Sequence, residues 1–250
     1  MSGDSVERLI VLGASNVVRG LPALVSSMRR SEGNAEFLVA AGLGRSYGVS
    51  SRFSYRILPG ILTGGLWAAV SERAPMRTRA VVADVGNDLL YGFPPEQVLE
   101  WVEDAVGRLE SVADDIVIVG LPLHSIDSLS ETRFRLFRSL LVPSCTLSLS
   151  DLAAAARTVH EGLMTMARKR KHRFFELRAG WYGIDPIHIR PRYWRAAWSE
   201  IAGLPVSQPL SLVETMRLRL LRPERRILFS REQITEQTGS GIGGVKVFLF

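Results

Sequence analysis

Asp185 and His188 stand three residues apart in "GIDPIHIRP", a loop tightened by Pro186. At that spacing a carboxylate can turn back onto the imidazole of its own loop and fix its tautomer. Ser15 lies in "VLGASNVVRG", on a Gly-Ala-Ser-Asn turn directly after an apolar run. A serine hydroxyl is a weak nucleophile until a histidine takes its proton. Asn87, in "VGNDLLYG", offers a side-chain amide; the turn at Gly44, in "AAGLGRSYG", offers a backbone N–H, and Ser15 offers its own. Such donors stabilise the oxyanion of a tetrahedral intermediate. Together these groups are what acyl transfer requires. Each also has a plainer reading. Ser15 suits a helix cap, Asn87 a turn, His188 a solvated surface, and Gly42, Gly44 and Gly48 positive φ angles.

The elements that must position these groups alternate along the chain. Leu9–Leu12, Glu36–Ala40, Ala80–Asp84, Asp115–Gly120 and Arg173–Leu177 read as strands. They are short, rich in branched residues and continuously apolar, as in a parallel sheet covered on both faces. Helix-like runs fall between and after them: Leu21–Arg30 with Pro22 in its first turn, Pro95–Leu109, Glu131–Leu141, Ser150–Arg170 and Arg190–Ala202. Proline suits the first turn of a helix and serine its cap. The expectation is an α/β protein, a three-layer α/β/α sandwich around a flavodoxin-like five-stranded parallel sheet. In such a sheet ligands bind beyond the carboxyl ends of the strands. Ser15, the Gly44 turn, Asn87 and the Asp185–His188 loop each follow a strand, so all should share one rim. Beyond residue 204 the rhythm changes. "RILF" and "VKVFLF" flank "GSGIGG" and predict a small C-terminal β-hairpin extension. We divide the chain into an α/β domain, 1–204, and an extension, 205–250, packed on it.

The ordered blocks "VLGASN", "AGLGRSYG", "VGNDLLYG" and "DPIHIRP" resemble the SGNH hydrolases, a branch of the GDSL esterase and lipase superfamily. The likeness spans roughly residues 8–202. It implies Ser15 as nucleophile, His188 as base, and Asp185 as the residue orienting His188. It implies an oxyanion hole of Ser15, Gly44 and Asn87, and a reaction without cofactor or metal. It also implies as substrate a small ester or an O-acetylated carbohydrate. Two departures stand out. Ala14 occupies the place of the usual Asp before the serine, and Asn16 offers a compensating hydrogen bond. The second block leaves Gly42, Gly44 and Arg45 as alternative N–H donors, of which Gly44 is preferred. The alternative function is a non-catalytic protein of the same fold that binds a ligand or partner.

Composition narrows the rest. The chain has 250 residues and a single cysteine, Cys145, so no internal disulfide and no cysteine-rich metal site is expected. Asp4 and Glu7 precede an apolar run too short for a signal peptide. The longest uncharged apolar stretch, 57–70, is broken by Pro59 and three glycines and falls short of the roughly 20 residues of a membrane span. These features predict a soluble cytoplasmic protein. Residues 1–167 carry 15 Lys/Arg against 18 Asp/Glu, a net −3, while residues 168–250 carry 16 against 7, a net +9. All but three of the basic residues are arginine, and no nucleic-acid-binding pattern accompanies them, which argues against nucleic acid as partner. Glycine loops for nucleotide phosphates are absent too. A histidine base predicts activity rising with pH near the ordinary histidine value of about 6.5.

Overall fold

A computed structural model describes residues 6–29, 35–142 and 145–250. Asp4 and Arg30, used above, lie outside the described residues. In chain order the elements are β1 (Arg8–Gly13), α1 (Ser15–Ser27), β2 (Ala35–Ala41), β3 (Ser51–Phe53), β4 (Arg56–Leu58), α2 (Leu66–Ser71) and β5 (Thr78–Val82). Then come α3 (Asn87–Leu90), α4 (Pro95–Glu110), β6 (Asp115–Val119), α5 (Leu123–Asp127), α6 (Glu131–Leu141), α7 (Leu149–Arg170) and β7 (Arg173–Phe175). The remainder is α8 (Trp194–Ala202), α9 (Leu212–Leu220), β8 (Arg225–Leu228), β9 (Arg231–Ile234), β10 (Ser240–Ile242) and β11 (Val245–Leu249).

The five strands expected from the sequence form the parallel centre of the main sheet, in the order β2-β1-β5-β6-β7. This is the second-first-third-fourth-fifth order of a doubly wound sheet, with its switch point between β1 and β5. Both faces are covered. Ile10 and Leu12 of β1 join a core with α2, α4 and α7, while Leu9 and Val11 face α1 and α8. Most side chains of the central strands are thus covered on one face or the other, which is why these runs show little polar alternation.

The tail departs from the expected hairpin. β11 adds to the main sheet, parallel to β2, and β10 pairs antiparallel with β11 at the edge. Phe248 enters one core and Val245 and Val247 the other, so "VKVFLF" is itself a strand covered on both faces. β8, which contains most of "RILF", instead joins a separate antiparallel sheet of order β3-β4-β8-β9. That sheet ties the loop after β2 to the tail.

Helix α1 begins at Ser15, six residues before the expected start at Leu21, with Pro22 in its interior. Its cap explains the shift. Ala14 occupies the N-cap position and has no side chain to offer. The Asp84 carboxylate reaches across from the end of β5. Its Oδ2 accepts the N–H groups of Ala14, Asn16 and Val17 at 2.9, 3.0 and 3.1 Å. A negative charge on the first turn also suits the helix dipole. Gly20 lies under the Trp198 indole, where a Cβ would fall 1.9 Å from Nε1. This close approach seats α8 on α1.

Candidate active site

Ser15 is the first residue of α1 and half-buried, at the carboxyl end of β1. His188 is 5% exposed. Its Nε2 lies 2.9 Å from Ser15 Oγ and its Nδ1 lies 2.6 Å from Asp185 Oδ2. Asp185 Oδ1 accepts the N–H groups of Ile187 and His188, so the carboxylate and the loop it serves hold one another. Burial alone would raise the Asp185 carboxyl. The His188 hydrogen bond and charge, with those two N–H donors, outweigh it and hold Asp185 below its ordinary value.

Asn16 joins the two halves of this arrangement. Its Nδ2 donates to Asp84 Oδ1 and to the Ile187 carbonyl, while its Oδ1 accepts the Ile189 N–H. The serine turn and the histidine loop, 173 residues apart, are therefore bonded through one side chain as well as through Ser15 and His188. Asp84 sits at φ 55°, a left-handed backbone that aspartate tolerates better than most residues. Where Ala14 lacks a carboxylate, Asp84 and Asn16 hold the serine turn.

The loops after β2 and β5 face one another across the rim. Gly44 takes φ 66°, and a Cβ there would come within 2.7 Å of the Tyr91 hydroxyl. That hydroxyl donates to the Gly44 carbonyl at 2.5 Å. Asp88 Oδ2 accepts the Tyr47 N–H at 3.0 Å. The Arg45 N–H is spent on the Gly42 carbonyl, which removes it as an oxyanion donor. Asn87 Nδ2 is buried without a hydrogen-bond partner. A buried amide donor normally finds one. Arg45 runs beneath the loop, fully buried, and donates to the carbonyl oxygens of Pro59 and Phe250. Burial, and then the neighbouring Arg56, push its guanidinium down to about 10, against an upward pull from Glu224.

Two cavities meet at Ser15. The larger, about 110 Å³, runs under α5, α6 and α7 past Leu121, Ile126, Phe134 and Leu152. The smaller, about 80 Å³, is bordered by Gly44, Phe53, Tyr91, Arg19 and His188. Ser15 and Asn87 line both.

The remaining histidines take no part in this arrangement. His160 is buried, with Nδ1 accepting the Leu121 N–H and its ring edge-on to Phe174. His172 pairs with Glu110. His124 is exposed on α5. Trp181, Tyr182 and Trp198 belong to the core beneath α1 and α8. Asp84, Asp88 and Tyr91 received no role from the sequence. Only Asp84 left a signal there: an acid ending an apolar strand beside the serine strand.

Among solved structures, the native aryl esterase of M. smegmatis aligns with 78% of this chain and 97% of its own, at 15% identity and a TM-score of 0.52. Its inhibitor-bound form aligns over the same shares at 14% identity and a TM-score of 0.52. The chain has the SGNH hydrolase fold. A member of the lipolytic G-D-S-L family from Veillonella parvula aligns with 75% of this SGNH-fold chain and 92% of its own, at 14% identity and a TM-score of 0.48. No family model and no curated protein sequence matches it. Among the described residues, no helix of this SGNH-fold chain is long and apolar enough to cross a membrane, and no group of three His, Cys, Asp or Glu could hold a metal ion.

Proposed function

We propose that this chain is a serine ester hydrolase, with Ser15 as nucleophile, His188 as base and Asp185 orienting His188. The observation that carries the reading is the Ser15–His188–Asp185 relay, at 2.9 and 2.6 Å, opening on a cavity lined by Asn87, whose buried amide has no partner. With Nδ1–H donated to Asp185, Nε2 is the free base that takes the Ser15 proton as Oγ attacks the ester carbonyl. The carbonyl oxygen gains the charge. Asn87 Nδ2 and the N–H groups of Gly44 and Ser15 receive it. His188 then gives its proton to the departing alcohol, leaving an acyl-Ser15. Water, deprotonated by the same Nε2, releases the acid and restores Ser15.

The larger cavity sets the acyl preference. Its walls are mostly apolar, so a butyryl chain gains there what an acetyl group is too short to reach. The substrate class is accordingly a small carboxylic ester, with O-acetyl groups as poorer members.

Hydrolysis of p-nitrophenyl acetate and butyrate tests this, with Ser15→Ala and His188→Ala as controls. The expected result is turnover of both esters, butyrate faster, falling by about 10³-fold or more in each variant. Wild type should also take up a fluorophosphonate at Ser15. A folded wild type that neither turns over ester nor labels overturns the reading in favour of a non-catalytic binding protein.

A further inference from the structure

Beyond the small cavity at Ser15, the surface continues into a groove of about 320 Å³ between α1, α9 and the carboxyl end of β2. Its floor is apolar, with Pro22, Val39 and Leu249. Its charged groups are Arg19, Arg56 and Arg219, and no carboxylate lines it. Arg19 borders this groove and the small cavity alike, so the two are joined at that side chain.

Three guanidinium groups around one groove repel one another unless something compensates. Arg19 has a distant partner, Asp185, at 4.0 Å. Arg56 and Arg219 have no ion-pair partner among the described residues. Arg56 Nη2 is moreover buried with no hydrogen bond at all. Behind it stand Arg226 and Arg45. Burial, and then the charge of Arg226, lower the Arg56 guanidinium, and Arg56 in turn lowers Arg45. A buried donor without a partner is costly, and several in one positive field are more so. Arginine forks fit phosphate oxygens bidentately.

We propose that this groove is a subsite for a phosphate-type dianion carried by the alcohol portion of the substrate. The inference rests on the hydrolase reading above and extends it. The acyl chain enters the apolar cavity on one side of Ser15. The leaving group exits past Arg19, and its phosphate is clamped by Arg56 and Arg219. Partial neutralisation of Arg19 by Asp185 leaves Arg56 as the principal anchor.

Calorimetric titration of inorganic pyrophosphate into the Ser15→Ala protein tests the site without reference to catalysis. Binding is expected, weakened at least tenfold when Arg56→Gln or Arg219→Gln is added. No heat, or heat unchanged by both added substitutions, overturns the subsite. The substrate assignment is tested by comparing butyryl glycerol 3-phosphate with p-nitrophenyl butyrate. The ratio of their kcat/KM values is expected to fall at least tenfold in Arg56→Gln, through KM. Pyrophosphate binding with an unmoved ratio overturns the assignment to substrate. If neither ester is hydrolysed by wild type, the hydrolase reading fails while the titration still decides the subsite. Circular dichroism and melting of Arg56→Gln guard against misfolding, and Arg219→Gln, on an exposed helix face, repeats the measurement where the fold is not at stake.

Discussion

The two sides of Ser15 are built from opposite materials. On one side the wall under α6 and α7 is a continuous apolar surface, to which only a few polar groups contribute. On the other, the groove along α1 and α9 gathers three arginines, of which only Arg19 has a carboxylate within 4.0 Å among the described residues. The first side is largely apolar packing, with Asn87 Nδ2, at the boundary, as its unpartnered buried donor. The second is less complete, because Arg56 Nη2 is buried without the partner that a buried polar group ordinarily has. On the hydrolase reading proposed above, the difference is how the rim would sort a substrate. An ester has an apolar acyl end and a more polar leaving end, and Ser15 stands where the two surfaces meet.

The largest expected effect tests whether the boundary itself is shared. Asn87 lines both cavities at Ser15, so Asn87→Ala should cut kcat by about 10²–10³-fold for every ester, whatever its acyl length or charge. A loss confined to one class of ester would place Asn87 on one side of the comparison. Steady-state kinetics with a short series of p-nitrophenyl esters decides it. A narrower break is Ala156→Leu, which pushes two methyl groups into the apolar cavity. Butyrate turnover relative to acetate should fall by about tenfold, because a methylene or two in an apolar pocket is worth that much. Pyrophosphate binding should not change.

Asp84→Ala removes the cap from α1 and one anchor of Asn16 together. A loss of about 1–2 kcal/mol is expected, read as a lower denaturation midpoint, with kcat reduced equally for acetate and butyrate. Unequal reductions would show that the turn shapes one cavity more than the other. The smallest effect is one of pH. Asp88 is fully buried behind Asn87 and lines neither cavity; burial raises its carboxyl to about 6, against the lowering pull of Ser46 and the Tyr47 N–H. Between pH 4 and 6 the folded chain therefore holds a proton that the unfolded chain has released. Stability contributed at this position falls as pH climbs through that window. Asp185 has the opposite sign: it sits below its ordinary value, so its contribution is present above the normal carboxylate range and is lost as pH drops through it. In Asp88→Asn the melting temperature relative to wild type should rise from pH 4 to pH 6.5 and then stay level. A difference that is flat with pH would mean Asp88 titrates normally.

Much of this architecture could be read from the chain because its signals are local. Continuous apolar runs name the central strands, and the residues that follow each strand name the rim. Ser15, Asp185 and His188 were singled out by type and spacing, and the structure brings them within hydrogen-bond distance. What escaped is what depends on distant partners. The start of α1 at Ser15 follows from a carboxylate just beyond another strand, so Pro22 misleads any local reading. The pairing of β11 with β2 and of β4 with β8 joins segments far apart in sequence, and period-two patterns carry no information about which strand lies beside which. The choice among Gly42, Gly44 and Arg45 narrows only when the Gly42–Arg45 hydrogen bond is seen.

The placement of β11 has a consequence for how the chain comes off the ribosome. Ala35–Ala41 is synthesised early, yet the strand that covers its outer edge is Val245–Leu249. Throughout the interval β2 presents an open, apolar edge, the kind of surface that recruits a second chain. The same late arrival brings the Phe250 carbonyl under Arg45, so the loop carrying Gly44 gains its last support only then. Until Val245–Leu249 is made, the chain therefore lacks both the strand beside β2 and the Phe250 acceptor for Arg45.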